Sequence, residues 1–244
     1  MSNQTDPRTP FVIGIIALGV ILLGGIVWAV TSAPSDAGTL AKTDVNASFR
    51  DENDPALGPA GSPNVLRIFG DFQCPACKAA EPGLTHVRQN YADRLKIVWD
   101  DFPLNSHPNA RPAANAARCA EEQGKFWEMH DALYNAQADW ASKPDPTSDF
   151  RALAKRVGLN EEAFAACLND RQYDAKIKAD MQEGNSNGVD ATPTFFINQR
   201  KIVGVLSAAD WDRELAAVLG PAADQTPVPA AGTVEAEAVA ASTQ

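Results

Sequence analysis

Apolar residues follow three regimes along the chain: continuous, unpatterned and periodic. They are continuous from Phe11 to Val30, where FVIGIIALGVILLGGIVWAV runs for 20 residues without a charge. A helix of that length is about 30 Å long, the hydrocarbon thickness of a bilayer. A cleaved secretory signal has a shorter apolar region and a small-residue cleavage site. Here the best cleavage candidate, Thr31-Ser32-Ala33, runs straight into Pro34. The segment 11–30 therefore reads as a retained transmembrane anchor. Residues 1–10 fall on the cytoplasmic side, an orientation favoured slightly by Arg8 and the terminal amine.

From 31 to 62 the chain is rich in Ala, Ser, Asp, Pro and Gly and sustains no period, which predicts a tether. Periodic patterns begin in the region 63–220. VLRIF, Val65–Phe69, reads as a buried strand, and LKIVW, Leu95–Trp99, as another. Between them Lys78–Tyr91 carries Leu84, Val87 and Tyr91 at helical spacing, with Pro82 predicting a kink rather than a stop. Strand, helix and strand make a parallel βαβ unit. Helices are then predicted over Ala110–Gln123, Phe126–Ala136, Ser148–Val157, Asn160–Leu168 and Arg171–Gln182. The pattern returns to strands at Thr194–Ile197 and Ile202–Val205, around a turn at Asn198-Gln199-Arg200. Ser207 to Asp210 resembles a capping box opening a last helix through Trp211, Leu215 and Leu219. The fold class is α/β, with a helical insertion of about 106–187. Residues 221–244 hold no basic residue and little that is large and apolar, so they read as a disordered tail.

The formal net charge of −10 argues against a nucleic-acid partner. With the single span first, the remaining chain is most simply exported, and four cysteines suit such an oxidising compartment. Two of them stand in FGDFQCPACKAA, Phe69 to Ala80, between a strand and a helix. Backbone N–H groups and the helix dipole there stabilise a thiolate at Cys74. Cys77, one turn further in, can resolve a mixed disulfide formed on Cys74. Pro75 fits the first turn, where its missing N–H would have no partner anyway. Two other readings stay open. A metal site needs ligands beyond two thiolates, and neither His86 nor His107 is required by spacing to supply them. A static disulfide in so short a loop is strained and easily reduced. The strand–CxxC–helix context favours the redox pair, with no metal and no cofactor beyond the cysteines.

Three separated motifs, FGDFQCPACK, HPNARPAANAARCAEEQGKFWEMHDALY and DATPTFFINQRKIVG, together resemble the DsbA-like thiol:disulfide oxidoreductases of the thioredoxin superfamily. The resemblance runs from about Asp54 to Gly220. It implies a thioredoxin fold with a helical insert, Cys74 as nucleophile and Cys77 as resolving cysteine. It also implies a cis peptide at Thr192-Pro193, facing the cysteines and offering backbone groups to an extended substrate. A membrane-tethered, monomeric enzyme is expected, introducing disulfides into exported proteins and reoxidised by a membrane partner of the DsbB or VKOR type. The alternatives are a reductase or isomerase using the same exchange, or a thiolate metal-binding module. Two departures stand out. Ile68 occupies the position, six before Cys74, where related proteins often bury an acid; Asp71 is nearer but also reads as a polar strand end. Ala76 replaces the histidine of strongly oxidising members, which predicts a less acidic Cys74 and a less oxidising disulfide.

Cys119 and Cys167 can be buried free thiols, but an even leftover pair in an oxidising compartment more often bridges, so a structural disulfide is expected. His130 shares a face with Phe126 and Leu133 and reads as a packed core histidine, His86 as partly exposed, and His107 as near the redox pair.

Overall fold

The computed structural model describes residues 41–50 and 54–220. The predicted cytoplasmic segment 1–10, the anchor 11–30 and the tail 221–244 lie outside the described residues. Among the described residues no helix is long and apolar enough to cross a membrane.

Six strands form one sheet: β1 (Ala41–Asp44), β2 (Ala56–Leu57), β3 (Val65–Gly70), β4 (Lys96–Asp101), β5 (Thr194–Ile197) and β6 (Arg200–Val203). Their order is β1-β6-β5-β3-β4-β2. β3 and β4 run parallel across helix α1 (Pro75–Tyr91), while β5 pairs antiparallel to β3 and β6 to β5. The helical insert follows β4. It comprises α2 (Ala110–Glu121), α3 (Phe126–Asn135), α4 (Gln137–Trp140), α5 (Thr147–Arg156), α6 (Glu161–Asp170) and α7 (Asp174–Ser186). Helix α8 (Ala208–Leu219) closes the domain, behind a capping box in which Ser207 accepts from Asp210 N and the Asp210 carboxylate accepts from Ser207 N.

Two sequence expectations are corrected here. The stretch 31–62 is not a tether throughout. Within it β1 adds to the free side of β6 and β2 to that of β4, neither marked by a run of large apolar residues. The helix expected over Arg171–Gln182 begins instead at Asp174, because Arg171 adopts a left-handed φ of 48° that ends α6. Asn198 also takes a positive φ, 53°, at the β5–β6 turn. Asparagine tolerates that region better than most residues, so the hairpin turns without a glycine. Its side chain accepts from Val65 N at 2.9 Å, tying the turn to β3.

Alternation along the strands splits the core in two. Leu66, Ile68, Trp99, Phe195 and Ile197 pack with α1, α8 and the insert. Close approach of α1 to α8 needs Gly83, since a Cβ there would meet Leu206 O at 2.4 Å and the Trp211 ring. On the other face Phe69, Phe102, Val189 and Phe196 form a smaller cluster with Ala47. Beside that cluster lies a buried charge network. Arg67 meets Asp100 at 2.7 Å, and Arg118 meets Asp101 at 2.6 Å and Asp180 at 2.8 Å. Lys176 joins it through Asp54 and Asp180. Burial and the neighbouring Asp101 raise Asp180 to about 6, against the pull of Arg118. Losing one cation here would leave buried carboxylates uncompensated, which is far costlier than losing an exposed pair.

Cys119 in α2 and Cys167 in α6 are joined by a disulfide, with Cα atoms 5.8 Å apart. It ties the first helix of the insert to the fifth.

Candidate active site

The end of β3 and the start of α1 fix the position of Cys74. It is the N-cap of α1, with φ −69° and ψ 123°, and Pro75 takes the first helical position. Cys77 lies one turn inside. Both residues are buried, at 6% and 2% exposed, so the asymmetry between them is chemical more than steric.

The Cys74 thiol drops from the ordinary thiol range to about 5. The largest cause is the Cys77 S–H donated to its sulfur; burial opposes it, while Thr192 and the backbone N–H groups of Cys77 and Ala76 add to it. Cys77 moves the other way, far above the ordinary range, through burial, its hydrogen bond to Cys74 and the charge on that sulfur. The pair therefore holds a thiolate outside and a thiol inside. Ala76 brings no charge, and Cys74 is acidified without one, chiefly by the Cys77 S–H, with Thr192 and the backbone N–H groups adding to it. The value lies between ~3.5 and ~7, the range spanned by DsbA and thioredoxin.

The Thr192-Pro193 peptide is cis and faces the pair. Cys74 Sγ lies 3.4 Å from Thr192 O. The Thr192 hydroxyl is buried without an oxygen or nitrogen partner and favours the thiolate at both sulfurs. Pro193 O accepts from Gly204 N at 3.0 Å, which joins this loop to the end of β6.

Asp71 is where sequence reasoning saw least. It is no ordinary strand end: the side chain is fully buried and accepts four hydrogen bonds. Oδ1 takes the N–H groups of Gln73 and Cys74, at 2.7 and 3.2 Å. Oδ2 takes Leu104 N at 2.9 Å and His107 Nδ1 at 2.7 Å. The carboxylate thus pins the turn leading into Cys74, and it brings His107 close, as expected. Ile68, in contrast, is simply buried in β3.

The insert grips the same turn through side chains that no spacing announced. Gln137 Nε2 donates to the carbonyls of Phe72 and Cys74, at 2.8 and 3.1 Å. Gln73 accepts from Asn109 N at 2.6 Å and donates to Ala141 O at 2.7 Å. Tyr134 Oη donates to Asp71 O at 3.2 Å. A cavity of about 530 Å³ opens in the insert beside His107, Arg111 and Phe150, but neither cysteine lines it. His86 is half-buried and bonded to Asp212 on α8, away from the chemistry. His130 is buried in a ring of Phe72, Trp99 and Tyr134. Among the described residues, the clusters able to hold a cation are Glu81-His130-Asp131 and Asp54-Asp100-Asp180, and neither contains a sulfur.

A family model described as Thioredoxin matches residues 50–217. The chain belongs to the thioredoxin family. Its fold is the DsbA-like form, with the helical insert. It is similar to alpha-DsbA1 of Wolbachia pipientis, with a TM-score of 0.63 and 22% identity over 72% of this chain and 94% of that one. BdbD of Bacillus subtilis gives 0.60 and 22%, over 71% and 95%. At these identities the likeness is one of fold. By sequence, a Na(+)/H(+) antiporter NhaA 1 of Salinispora arenicola is 35% identical over 182 residues, 72% of this chain and 27% of its own length. Another, from Mycolicibacterium gilvum, is 31% identical over 229 residues, 90% of this chain and 35% of its own. The chain spans about a quarter to a third of the length of these curated relatives. Antiport is a name carried by those longer proteins.

The thiolate makes one pH dependence. A depressed folded value means the unfolded chain holds a proton that the folded chain has lost, between ~8.5 and about 5. The stabilisation from Cys74 is complete above ~8.5 and vanishes as pH falls through about 5. With Cys119–Cys167 kept bridged, the stability of the reduced form relative to the oxidised form should rise between pH 5 and 7, by at most about 1.4 kcal/mol per unit. Urea unfolding of both forms checks this, with thiolate absorbance giving a midpoint near pH 5. A midpoint near ~8.5 and no pH trend would contradict it.

Proposed function

We propose that this chain is a membrane-tethered, extracytoplasmic thiol:disulfide oxidoreductase that passes the Cys74–Cys77 disulfide to exported proteins. The observation that carries this reading is the opposed pair: an acidic Cys74 beside the cis Thr192-Pro193 loop, backed by a buried Cys77 thiol. A client thiolate attacks Cys74 Sγ, the Cys74–Cys77 bond breaks, and Cys77 leaves with the electron pair and takes a proton. A second client thiolate then attacks the client sulfur of the mixed disulfide. The client disulfide forms and Cys74 departs as a stable thiolate. Its low proton affinity makes it a good leaving group and favours this direction.

The anchor at 11–30 would hold the domain at the outer membrane face, within reach of a quinone-linked partner of the DsbB or VKOR type that reoxidises it. Thr192 and the neighbouring backbone would receive an extended client segment by strand-like pairing.

The test is oxidation of a reduced, unfolded client protein by the purified oxidised chain, with glutathione disulfide to regenerate it. Catalytic appearance of client disulfides is expected. Catalysis only of client reduction, with dithiol supplied, would assign the opposite direction. Catalysis of neither, with the pair intact by mass, would end the oxidoreductase reading.

A further inference from the structure

The insert holds the cavity of about 530 Å³ that the redox chemistry leaves unused. Its volume lies within the ~300–1,000 Å³ typical of ligand sites. Five of its lining residues are proline, which fixes their backbone and offers no N–H, and Phe150 and Leu168 add apolar wall. Two arginines also line it, Arg111 on α2 and Arg171 at the end of α6. Among the described residues neither meets a carboxylate. Arg111 Nη2 donates to Met181 Sδ at 3.2 Å, a weak acceptor. The chain carries 31 acidic residues against 21 basic ones, so two guanidiniums left without an acid run against its composition.

Arg171 stands there against local preference. It ends α6 at φ 48° and ψ 45°, a left-handed conformation that suits glycine or asparagine better. Its place is also held from α2. Asn115, 2% exposed and one turn after Arg111, donates to Leu168 O at 3.3 Å and accepts from Tyr173 N at 3.1 Å. Those bonds grip the chain on either side of Arg171, and Cys119–Cys167 ties the same two helices. A fixed frame thus presents both guanidiniums to one cavity, and the backbone accepts a strained residue to present the second.

His107 and Asn109 line the cavity too. His107 Nδ1 bonds the Asp71 carboxylate at 2.7 Å, and Asn109 N donates to Gln73 Oε1 at 2.6 Å. Gln73 precedes Cys74, so single side chains link the cavity wall to the reacting turn.

We propose that this cavity is a client subsite, in which Arg111 and Arg171 receive a carboxylate side chain of the polypeptide reacting at Cys74. The proposal rests on the thiol–disulfide reading above and adds to it a preference for acidic residues near the client cysteine. A carboxylate suits the two guanidiniums because each offers a planar fork of N–H donors. Two further lining residues, half-buried Asp174 and exposed Asp145, favour a peptide over a phosphate. They oppose a doubly charged ion but can accept the N–H groups of a peptide backbone. Asp145 already does so within its own loop, accepting from Thr147 N at 2.9 Å.

The test is steady-state oxidation of reduced two-cysteine peptides by the full-length protein, regenerated with hydroxyethyl disulfide, which carries no carboxylate. The peptides differ only in one Glu or Gln, stepped through positions on both sides of the cysteines. At the best position kcat/KM should be roughly tenfold higher for Glu, mostly through KM, and the ratio should fall with salt. In Arg111→Gln the ratio should drop to about one. Arg171→Gly should do the same while unfolding no more easily than the parent, since glycine suits that φ. Lys178→Gln, which removes an exposed cation outside the cavity, should keep the ratio. Equal kcat/KM for Glu and Gln at every position, or a preference that survives in both arginine variants, would overturn the subsite. Tight binding of free glutarate with no peptide preference would mark a small-molecule site and overturn the client reading. Oxidation of neither peptide would instead sink the thiol–disulfide reading itself.

Discussion

Cys74→Ser should abolish dithiol turnover, whereas Cys77→Ser should still form the mixed disulfide once and then stop. The two sulfurs are not interchangeable. Cys74 sits at the helix start with its proton already lost near neutral pH, at about 5. Cys77 keeps its proton far above the ordinary thiol range, because burial and the neighbouring thiolate both oppose a second charge. Only Cys74 is therefore a nucleophile at rest, and only Cys77 can resolve what forms on it. Incubating each variant with a mixed-disulfide-forming probe and reading adducts by mass separates the roles. A stable adduct on Cys77→Ser and none on Cys74→Ser is expected, with turnover lost in both by three orders of magnitude or more, roughly the cost of removing a member of a catalytic unit. Adducts that favour Cys77 would reverse the assignment.

Breaking the Cys119–Cys167 bridge should destabilise the domain by about 4 kcal/mol. The bond closes a loop with a sequence separation of 48, and the chain-entropy relation converts that length into an energy of this size. It joins α2 to α6. Paired Cys→Ala changes should lower the urea midpoint while leaving the Cys74 thiolate titration where it is. The reacting turn is gripped separately, by Gln137, Gln73 and Tyr134. A loss below about 1 kcal/mol would mean that the bridge constrains an unfolded chain already compact.

What the sequence made legible had a reason. VLRIF, LKIVW and TFFI are runs long enough to show burial, and the CPAC pair announces its own position between a strand and a helix. β1 and β2 were hidden because AKTD and AL, unlike TFFI, hold no run of large apolar residues, so their segment resembled a tether. Asp71 and Gln137 were hidden for another reason. Each is an ordinary polar residue whose meaning comes from what the fold packs against it. Without a charged neighbour at Ala76, the Cys77 thiol, Thr192 and backbone donors bring Cys74 to about 5, less acidic than the ~3.5 of DsbA.

The most direct test of the account is the reduction potential of Cys74–Cys77 at pH 7, by equilibration of the purified protein against glutathione buffers with Cys119–Cys167 monitored by mass. A thiolate at about 5 lies between those of thioredoxin and DsbA, so the couple should lie between their potentials of ~−270 and ~−120 mV, at about −200 mV. Structural disulfides of secreted proteins lie below about −300 mV, so such a donor gives its bond away downhill. A value near −200 mV or less negative is the predicted result. A value at or below about −270 mV would contradict the oxidase and point the same chemistry toward reduction.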